Sequence, residues 1–300
     1  NGFGRIGRLV LRSIIEHDRK DIEVVAINDL GPVETNAHLL QYDTVHGKLD
    51  QEVVVDGDMI RVGDRAFKCT AIRNPAELPH SDMGIDIAFE CTGIFTSKET
   101  ASAHLEAGAK RVLVSAPARG ADKTIVFGVN DETLTADDTV VSNASCTTNC
   151  LSPVAKVLND TVGIERGYMT TVHAYTGDQP TLDRMHKDLY RARAAASSMI
   201  PTSTGAAKAG GLVLPELAGK LNGSAVRVPT PNVSMIDLVF AAGRETTVEE
   251  VNAAIKAAAD GPMKGVRGYS EKPLVSADFN HDAHSSTFAA DGTNVTDGTL

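Results

Sequence analysis

The sequence has few cysteines, no apolar run long enough to cross a membrane, and no excess of basic residues. Its four cysteines, Cys69, Cys91, Cys146 and Cys150, are too few and too scattered to form a disulfide framework in 300 residues. No apolar run reaches the roughly 18 residues that a membrane-spanning helix needs. Residues 2–12 are basic and glycine-rich, which is not the pattern of a signal peptide. We therefore expect a cytoplasmic protein with reduced thiols and no membrane partner.

The balance of charges argues against nucleic acid as the main partner. Lys and Arg together number 29 and Asp and Glu 39, which gives a formal net charge of −10. A negatively charged chain repels phosphate backbones, and no cluster of basic residues overrides this repulsion. Because 42% of the residues are hydrophobic and 23% charged, the composition is that of a globular protein. A chain of this length usually divides into two domains.

The first half of the chain alternates short β-branched runs with helical patterns. Strands are predicted over residues 21–28, 86–90 and 111–115, and a helix over residues 98–109 that stops at Gly108. Such alternation is typical of a Rossmann-like, doubly wound parallel sheet in the α/β class. Residues 52–70 break the pattern, and we expect short hairpin strands there with a turn at Gly57.

From Ser145 onward the pattern predicts an α+β domain, so we place the domain boundary between residues 1–145 and 146–300. A helix is predicted over residues 146–158 with Ser145 as its N-cap, and another over residues 247–259 capped by Thr246 or Thr247. The strand-like runs are residues 165–175, 225–229 and 233–242. Their length and wide spacing indicate a mostly antiparallel or mixed sheet. Residues 176–203 are predicted to form a long ordered loop, which is uncommon unless functional.

Gly2, Gly4 and Gly7 form the pattern G-x-G-x-x-G at the start of a predicted helix, whose apolar face we expect to include Ile6, Leu9, Val10 and Ile14. Such glycines allow a tight turn and let backbone N–H groups approach a pyrophosphate. A bare match of this kind is just as often an ordinary glycine-rich turn.

Asp29 lies at the end of the next predicted strand, about 20 residues after the glycines, where an acidic residue binds the ribose of NAD. The alternative is a turn residue that ends the strand. No basic residue lies nearby to neutralise a 2′-phosphate, so the sequence favours NAD over NADP. A dinucleotide fold also needs a strand before the first glycine, so we expect the sequence to be clipped at its amino terminus.

The segment S-N-A-S-C-T-T-N-C, residues 142–150, places Cys146 in the first turn of a predicted helix. The positive end of a helix favours the reactive thiolate. Ser145, Thr147 and Thr148 add hydroxyl groups that can bind an anion. A buried structural cysteine is the competing interpretation, and it suits Cys150. A metal site at the two cysteines would need further ligands that the sequence does not offer, so we predict no metal.

His173 lies in the segment T-V-H-A-Y-T-G-D-Q, residues 171–179. A cysteine and a histidine are the minimal apparatus for attack of a thiolate on a carbonyl group. A histidine on a strand is more often a structural, hydrogen-bonded residue. We interpret the other eight histidines, including His186 and His284, in that way.

Five segments carry a resemblance to a known family. They are N-G-F-G-R-I-G-R, S-N-A-S-C-T-T-N-C, T-V-H-A-Y-T-G-D-Q, P-T-S-T-G-A-A-K-A and V-R-V-P-T-P-N-V-S, and they occur in this order over essentially the whole chain. Together they resemble the phosphorylating, NAD-dependent glyceraldehyde-3-phosphate dehydrogenases of glycolysis. The resemblance implies a homotetramer that oxidises glyceraldehyde 3-phosphate, with NAD and inorganic phosphate, to 1,3-bisphosphoglycerate.

The resemblance also implies residue roles. Cys146 corresponds to the nucleophile and His173 to its base. The inorganic phosphate site corresponds to Ser145, Thr147, Thr204 and Gly205. The site for the phosphate of the substrate corresponds to Thr176, Asp178, Arg191 and Arg227, with Arg227 facing both phosphates and Arg193 close to Arg191. Cofactor contacts correspond to Gly2, Gly4, Arg5, Ile6, Gly7, Asp29, Arg73 and Ser115.

Three alternatives remain beside this interpretation. An erythrose-4-phosphate dehydrogenase would share the cysteine motif, but the S-T-G loop at residues 203–205 resembles the phosphorylating enzyme. A semialdehyde dehydrogenase should lack the T-G-D and S-T-G elements together. A binding or scaffold protein would not need an intact cysteine–histidine pair.

The family also ends in a segment rich in Trp, Tyr and Asn and a final helix. Because this sequence has no Trp and ends at Leu300, we expect it to lack that segment.

Overall fold

The chain forms two compact units in the computed structural model, which describes residues 1–296 except for the side chains of residues 207 and 208. The first unit comprises residues 1–125 and 134–144, and the second comprises residues 126–133 and those from 145 onward. Short 3₁₀ helices occur at Pro75–Glu77, Asp131–Thr133, Pro215–Leu217, Ser276–Phe279 and Ala290–Gly292.

The first unit contains four helices and ten strands among its described residues. In chain order they are α1 (Arg5–Glu16), β1 (Ala26–Asn28), α2 (Val33–Gln41), β2 (Tyr42–Asp43), β3 (Gly47–Lys48), β4 (Val53–Asp56), β5 (Met59–Val62), β6 (Arg65–Thr70), β7 (Ile87–Glu90), α3 (Lys98–Ala101), α4 (Ala103–Glu106), β8 (Arg111–Val114), β9 (Lys123–Thr124) and β10 (Val140–Ser142).

Two four-stranded sheets form the frame of this unit. One has the order β7-β8-β10-β9 and is parallel throughout. The other has the order β1-β6-β5-β4, with β1 and β6 parallel and the hairpin pairs antiparallel. The N–H of Gly2 donates to the carbonyl of Asn28 over 2.8 Å, and the N–H of Cys91 donates to the carbonyl of Asn1 over 2.8 Å. The first two residues therefore connect the two sheets edge to edge.

The α/β prediction is confirmed for this unit, with local corrections. The predicted strand 21–28 is regular only at Ala26–Asn28. The predicted helix 98–109 is two short helices that meet at Ser102, whose hydroxyl donates to the carbonyl of Lys98 over 2.7 Å. Gly108, at φ +107°, ends the segment as expected. The hairpin turn lies at Gly57, at φ +62°.

The apolar face predicted for α1 was partly wrong. Ile6 is 51% exposed, whereas Leu11, Ile14 and Ile15 are buried. Leu11 and Ile15 pack in the core between helices α1 and α2 and the sheet that contains β1, together with Phe3, Ile27, Leu40, Ile60 and Phe67. A second apolar cluster, Ala101, Val112, Val114 and Val140, lies at the parallel sheet.

The second unit contains three helices and six strands among its described residues. They are α5 (Cys146–Val162), β11 (Ile164–Ala174), β12 (Ile200–Thr202), α6 (Ala206–Val213), β13 (Leu221–Val228), β14 (Met235–Ala242), α7 (Val248–Asp260), β15 (Arg267–Ser270) and β16 (Ser286–Ala289). The main sheet has the order β12-β13-β11-β14 and is mixed: β11 and β13 are parallel, and the two outer pairs are antiparallel.

The mixed-sheet prediction is confirmed here. Ser145 caps α5, and Thr247 rather than Thr246 caps α7. Helix α5 runs beyond the predicted residue 158 to Val162 and ends at Gly163, at φ +74°. The predicted loop 176–203 is irregular except at its end, where strand β12 was missed. No helix within residues 1–296 is both long and apolar enough to span a membrane.

Candidate active site and cofactor cradle

Cys146 is the first residue of α5, and the residues before it fix this position. Ala144 adopts φ +57°, a left-handed conformation that is uncommon for non-glycine residues. The hydroxyl of Ser145 then accepts the N–H of Thr148 over 3.1 Å and caps the helix. The chain therefore turns sharply and presents Cys146 at the positive end of a 17-residue helix.

His173, on strand β11, faces this thiol. Its Nε2 lies 3.2 Å from the Cys146 Sγ, and its Nδ1 lies 2.7 Å from the carbonyl oxygen of Ala174. A carbonyl only accepts, so Nδ1 carries the proton, and in the neutral ring Nε2 offers its lone pair to the thiol. His173 is only 6% exposed, while Cys146 is open to solvent. The pair thus combines a fixed base with an accessible nucleophile.

The four cysteines differ in their tendency to ionise. The protein around Cys146 partly removes its thiol from water, but the hydrogen bond and charge of His173 outweigh this effect and lower the pKa of Cys146. Burial raises the pKa of Cys150 to about 11. Burial also raises the pKa values of Cys69 and Cys91. Cys146 is therefore the one described cysteine whose environment favours the thiolate.

Arg227 lies beside the cysteine–histidine pair because of the strand register. It is the parallel partner of His173 between β13 and β11. Its Nη1 donates to the carbonyl of Ala174 over 3.1 Å and to the Thr176 hydroxyl over 2.9 Å. Its Nε is buried without a hydrogen-bond partner among the described residues. Burial and the neighbouring Arg191 lower the pKa of Arg227, against the opposing charges of Asp178 and Cys146.

Asp178 accepts hydrogen bonds from two other residues that were predicted to bind the phosphate of the substrate. The Thr176 hydroxyl donates to it, and Arg191 Nη1 donates to it over 3.0 Å. Arg193 instead pairs with Asp183 over 2.7 Å and is mostly exposed. The structure therefore brings Thr176, Asp178, Arg191 and Arg227 together and leaves Arg193 outside.

The residues predicted to hold inorganic phosphate start two helices that contact each other, α5 and α6. The Ser145 hydroxyl is partly engaged by Thr148, and the Thr147 hydroxyl lies 4.0 Å from the Cys146 Sγ. The Thr204 hydroxyl accepts the N–H of Ala206 over 3.2 Å, so it does contribute to the start of α6. Gly205 precedes this helix, and a Cβ there would meet open space. The hydroxyl groups keep capacity to donate to an anion.

The glycine loop has the shape of a dinucleotide cradle. Gly2 adopts φ +83°, and a Cβ on Gly7 would lie 2.2 Å from the carbonyl oxygen of Gly2. A Cβ on Gly4 would meet no protein atom within 4 Å, which leaves free space over the start of α1. The N–H of Arg8 is bonded to the carbonyl of Gly4, so the N–H groups of Arg5, Ile6 and Gly7 in the first turn of α1 have no acceptor within the helix. These residues fit a bound pyrophosphate.

Asp29 directly follows β1 and contacts the glycine loop. One carboxylate oxygen accepts the N–H of Phe3 over 2.7 Å and the other accepts the N–H of Gly31 over 2.9 Å. Asp29 is thus both a turn residue and a neighbour of the glycine loop. The guanidinium of Arg5 pairs with Asp43 over 2.7 Å, and Ile6 is exposed beside it. Arg73 is exposed beyond the end of β6, and Ser115 directly follows β8.

Sequence reasoning missed several residues that support these sites. The Thr202 hydroxyl accepts from Arg191 Nε over 3.1 Å and donates to Asp188 over 2.9 Å. The Ser234 hydroxyl accepts the N–H of Ala174, beside His173. No local pattern marks these residues, since Thr202 lies 11 residues from Arg191 and Ser234 lies 60 residues from Ala174. Within residues 1–296, no cluster of three or more His, Cys, Asp or Glu residues could hold a metal ion.

Comparison with known proteins assigns the family. The family model described as "Glyceraldehyde 3-phosphate dehydrogenase, NAD binding domain" matches residues 1–98, and the one for the C-terminal domain of the same enzyme matches residues 145–300. The chain belongs to the glyceraldehyde-3-phosphate dehydrogenase family. Proteins of that name from Xanthobacter flavus and Cereibacter sphaeroides are each 71% identical to it over 300 residues, covering 100% of this chain and 90% of theirs. Glyceraldehyde-3-phosphate dehydrogenase 1 of Bacillus subtilis is 58% identical, covering 100% and 89%. The first unit is therefore built on the NAD-binding domain of this oxidoreductase family, and NAD is its cofactor.

Proposed function

We propose that the chain catalyses the NAD-dependent, phosphorylating oxidation of glyceraldehyde 3-phosphate to 1,3-bisphosphoglycerate through a covalent intermediate on Cys146. The observation that carries this proposal is the 3.2 Å contact between the Cys146 Sγ and the His173 Nε2 at the start of α5. Gly2, Gly4, Gly7 and Asp29 would hold the cofactor, with Arg5, Ile6, Arg73 and Ser115 as further contacts. NAD, when bound, supplies the hydride acceptor.

The reaction begins with attack of the Cys146 thiolate on the aldehyde carbon. A C–S bond forms, the carbonyl π electrons move to oxygen, and that oxygen receives from His173 the proton that the thiol had given up, which yields a thiohemiacetal. The Nε2 of His173 then takes the hydroxyl proton as the C–H hydrogen leaves with its electron pair, which gives a thioester. His173 is suited to this step because its Nδ1 proton is held by the carbonyl of Ala174.

Inorganic phosphate completes the reaction. A phosphate oxygen attacks the thioester carbon, the C–S bond breaks, and the product is an acyl phosphate with the Cys146 thiolate restored. Ser145, Thr147, Thr204 and Gly205 would hold this phosphate at the start of two helices. Thr176, Asp178, Arg191 and Arg227 would bind the phosphate of the substrate, since guanidinium groups pair well with phosphate oxygens. Arg227 has an unpartnered buried Nε and would serve both anions.

A substitution at Thr204 tests the phosphate site. Thr204→Ala removes one hydroxyl contact to a charged oxygen, which should slow the phosphate-dependent step by roughly ten- to a hundredfold. In rapid-mixing experiments the first burst of NADH should survive, while steady turnover falls and the apparent affinity for phosphate weakens. If Thr204 only supports the start of α6, the variant loses about 1 kcal/mol of stability and keeps its phosphate dependence. A steady rate independent of phosphate in the unmutated enzyme would favour an erythrose-4-phosphate dehydrogenase instead.

We also propose a cytoplasmic homotetramer with domains at residues 1–145 and 146–300. The residues between 176 and 203 expose large apolar side chains, including Leu182, Met185 and Leu189 at 77%, 97% and 81%. Such exposure is costly in water and is typical of a protein interface. Subunit contacts that cover this segment would also hold Arg191 in place. Light scattering tests this proposal, and a fully active monomer would contradict it.

A further inference from the structure

Three polar side chains of the first unit, Glu90, His104 and His80, form a chain of hydrogen bonds that we call the buried relay. Glu90, the last residue of β7, is 1% exposed, and His104, on α4, is fully buried. The His104 Nε2 lies 2.9 Å from a carboxylate oxygen of Glu90, and the His104 Nδ1 lies 3.0 Å from the Nε2 of His80. The proposed chemistry at Cys146 uses none of these three residues.

The hydrogen bond between His104 and Glu90 has a defined direction. A carboxylate only accepts, so the Nε2 of His104 donates to Glu90. Burial, with the neighbouring His104, lowers the pKa of His80 to about 4, which keeps His80 neutral near pH 7. Burial opposes ionisation of Glu90, but hydrogen bonds from His104, Thr92 and Asn1 outweigh it and lower the pKa of Glu90.

Glu90 connects the relay to the cofactor cradle through Thr92. One of its oxygens accepts both the N–H of Thr92, over 2.8 Å, and the Thr92 hydroxyl. Thr92 in turn stands directly against the first glycine of the cradle, because a Cβ on Gly2 would lie 2.7 Å from its backbone nitrogen. The Thr92 hydroxyl also accepts the N–H of Ile94 and so orders the turn at Gly93.

The second carboxylate oxygen of Glu90 is connected through Asn1 to Asn28, the residue before Asp29. It accepts the side-chain amide of Asn1 over 2.6 Å, and Asn1 accepts from Asn28 over 2.6 Å. Asn28 directly precedes Asp29 and also bonds to both backbone groups of Ile72, next to Arg73. The four acceptor positions of one buried carboxylate are therefore occupied by donors from three segments, and two of these, at Asn1 and at Thr92, border the cradle.

From this juxtaposition we infer that Glu90 is a positioning residue for NAD binding: its carboxylate, oriented by His104, holds Thr92 against Gly2 and Asn1 against Asn28. The inference rests on the proposed cofactor cradle and assigns a role outside the residues that touch the cofactor. An amide at position 90 cannot reproduce it, since its nitrogen would face donors where the carboxylate offers an acceptor.

Binding of NAD to the full chain, measured by titration calorimetry without substrate, tests the inference. Glu90→Gln should weaken NAD binding roughly tenfold or more, because hydrogen bonds to a charged group are lost. Thr92→Val keeps the buried carboxylate and removes only the hydroxyl contact, so it tests the same relay if Glu90→Gln fails to fold. We expect a weaker effect from it, of about three- to tenfold.

Ser102→Ala is the matched control, since it lies between α3 and α4 near His104 but outside the relay, and it should leave NAD binding unchanged. In both relay variants, kcat at saturating NAD, KM for glyceraldehyde 3-phosphate and alkylation of Cys146 should stay near normal. NAD affinity unchanged within twofold in both variants overturns the inference, and so does a uniform loss of all these properties. Failure of the unmutated chain to turn over in a phosphate-dependent way would instead overturn the proposed function.

Discussion

The first and second turns of helix α5 each carry a cysteine, and their surroundings act on the two thiols in opposite directions. Cys146 contacts His173, whose hydrogen bond and charge lower the pKa of the thiol despite partial removal from water. Cys150 is enclosed, and burial raises the pKa of its thiol to about 11 although the positive charge of Arg267 opposes that rise. The hydrogen bond and charge of His173 thus outweigh desolvation at Cys146, whereas the charge of Arg267 does not outweigh it at Cys150.

The largest expected difference between the two turns lies in catalysis. Cys146→Ser should reduce turnover by about 10⁴-fold or more, because the nucleophile of the covalent intermediate is lost. Cys150→Ser should leave turnover within about tenfold, since that thiol takes no part in the reaction. Steady-state NADH formation measures both. Comparable losses in the two variants would show that the second turn also carries chemistry.

His173→Gln should reduce the difference in pKa between the thiols of Cys146 and Cys150. Without the imidazole the pKa of Cys146 rises toward its ordinary value, because His173 is the main group that lowers it. Turnover should fall by roughly 10²- to 10⁴-fold through loss of the base. The rate of iodoacetamide labelling, followed by mass spectrometry across pH, should have its midpoint at higher pH for Cys146.

Cys150 provides the internal control in the same labelling experiment. Its thiol should stay unreactive near neutral pH with or without His173, because its raised pKa comes from burial. Labelling of Cys150 before Cys146 in the unmutated protein would reverse the assignment of the nucleophile.

The smallest effect that we expect is a change in stability on substitution of Arg267, whose charge acts on Cys150. Arg267 is 1% exposed, and its three guanidinium nitrogens have no hydrogen-bond partner within residues 1–296. Burial lowers its pKa to about 10. Arg267→Leu should therefore raise the free energy of unfolding, by about 1–3 kcal/mol, since a buried polar group without hydrogen-bond partners is costly. Chemical denaturation measures the change.

Arg166→Leu, at an exposed position on β11, is the matched control and should change stability by less than about 0.5 kcal/mol. Iodoacetamide labelling of Cys146 should be unaffected by either arginine substitution. A loss of stability in Arg267→Leu would mean that Arg267 has a partner in the assembled protein.

Local signals predicted the starts of the important helices. Ser145 and Thr247 each have a side-chain oxygen that accepts an N–H of the first turn, and this bond depends only on residues close in sequence. The glycine loop was predictable for the same reason, since its tight turn needs glycines at fixed spacing. Strand β12 was not predictable, because Ile200–Thr202 contains a proline and is a strand only through its pairing with β13.

The choice between Arg191 and Arg193 shows the limit of local signals. Both lie in the same irregular segment, two residues apart, and the resemblance to the family favoured Arg191 without a local reason. The folded segment decides between them because Asp178 and Thr202, at its two ends, lie within hydrogen-bond distance of Arg191. Arg193 meets Asp183 instead.

The sequence by itself determined the chemistry that this protein can offer: a thiol at a helix start, a histidine on a strand, and a glycine loop before a helix. Each depends on residue type and short spacing, which act through backbone geometry within one turn. Only the tertiary structure decided which groups meet. The approach of His173 to Cys146, the neighbourhood of Arg227 and the buried relay through Glu90 all join segments far apart in the chain. Their positions follow from strand register and core packing, because hydrogen bonds and burial reward only pairs that the whole fold has already brought together.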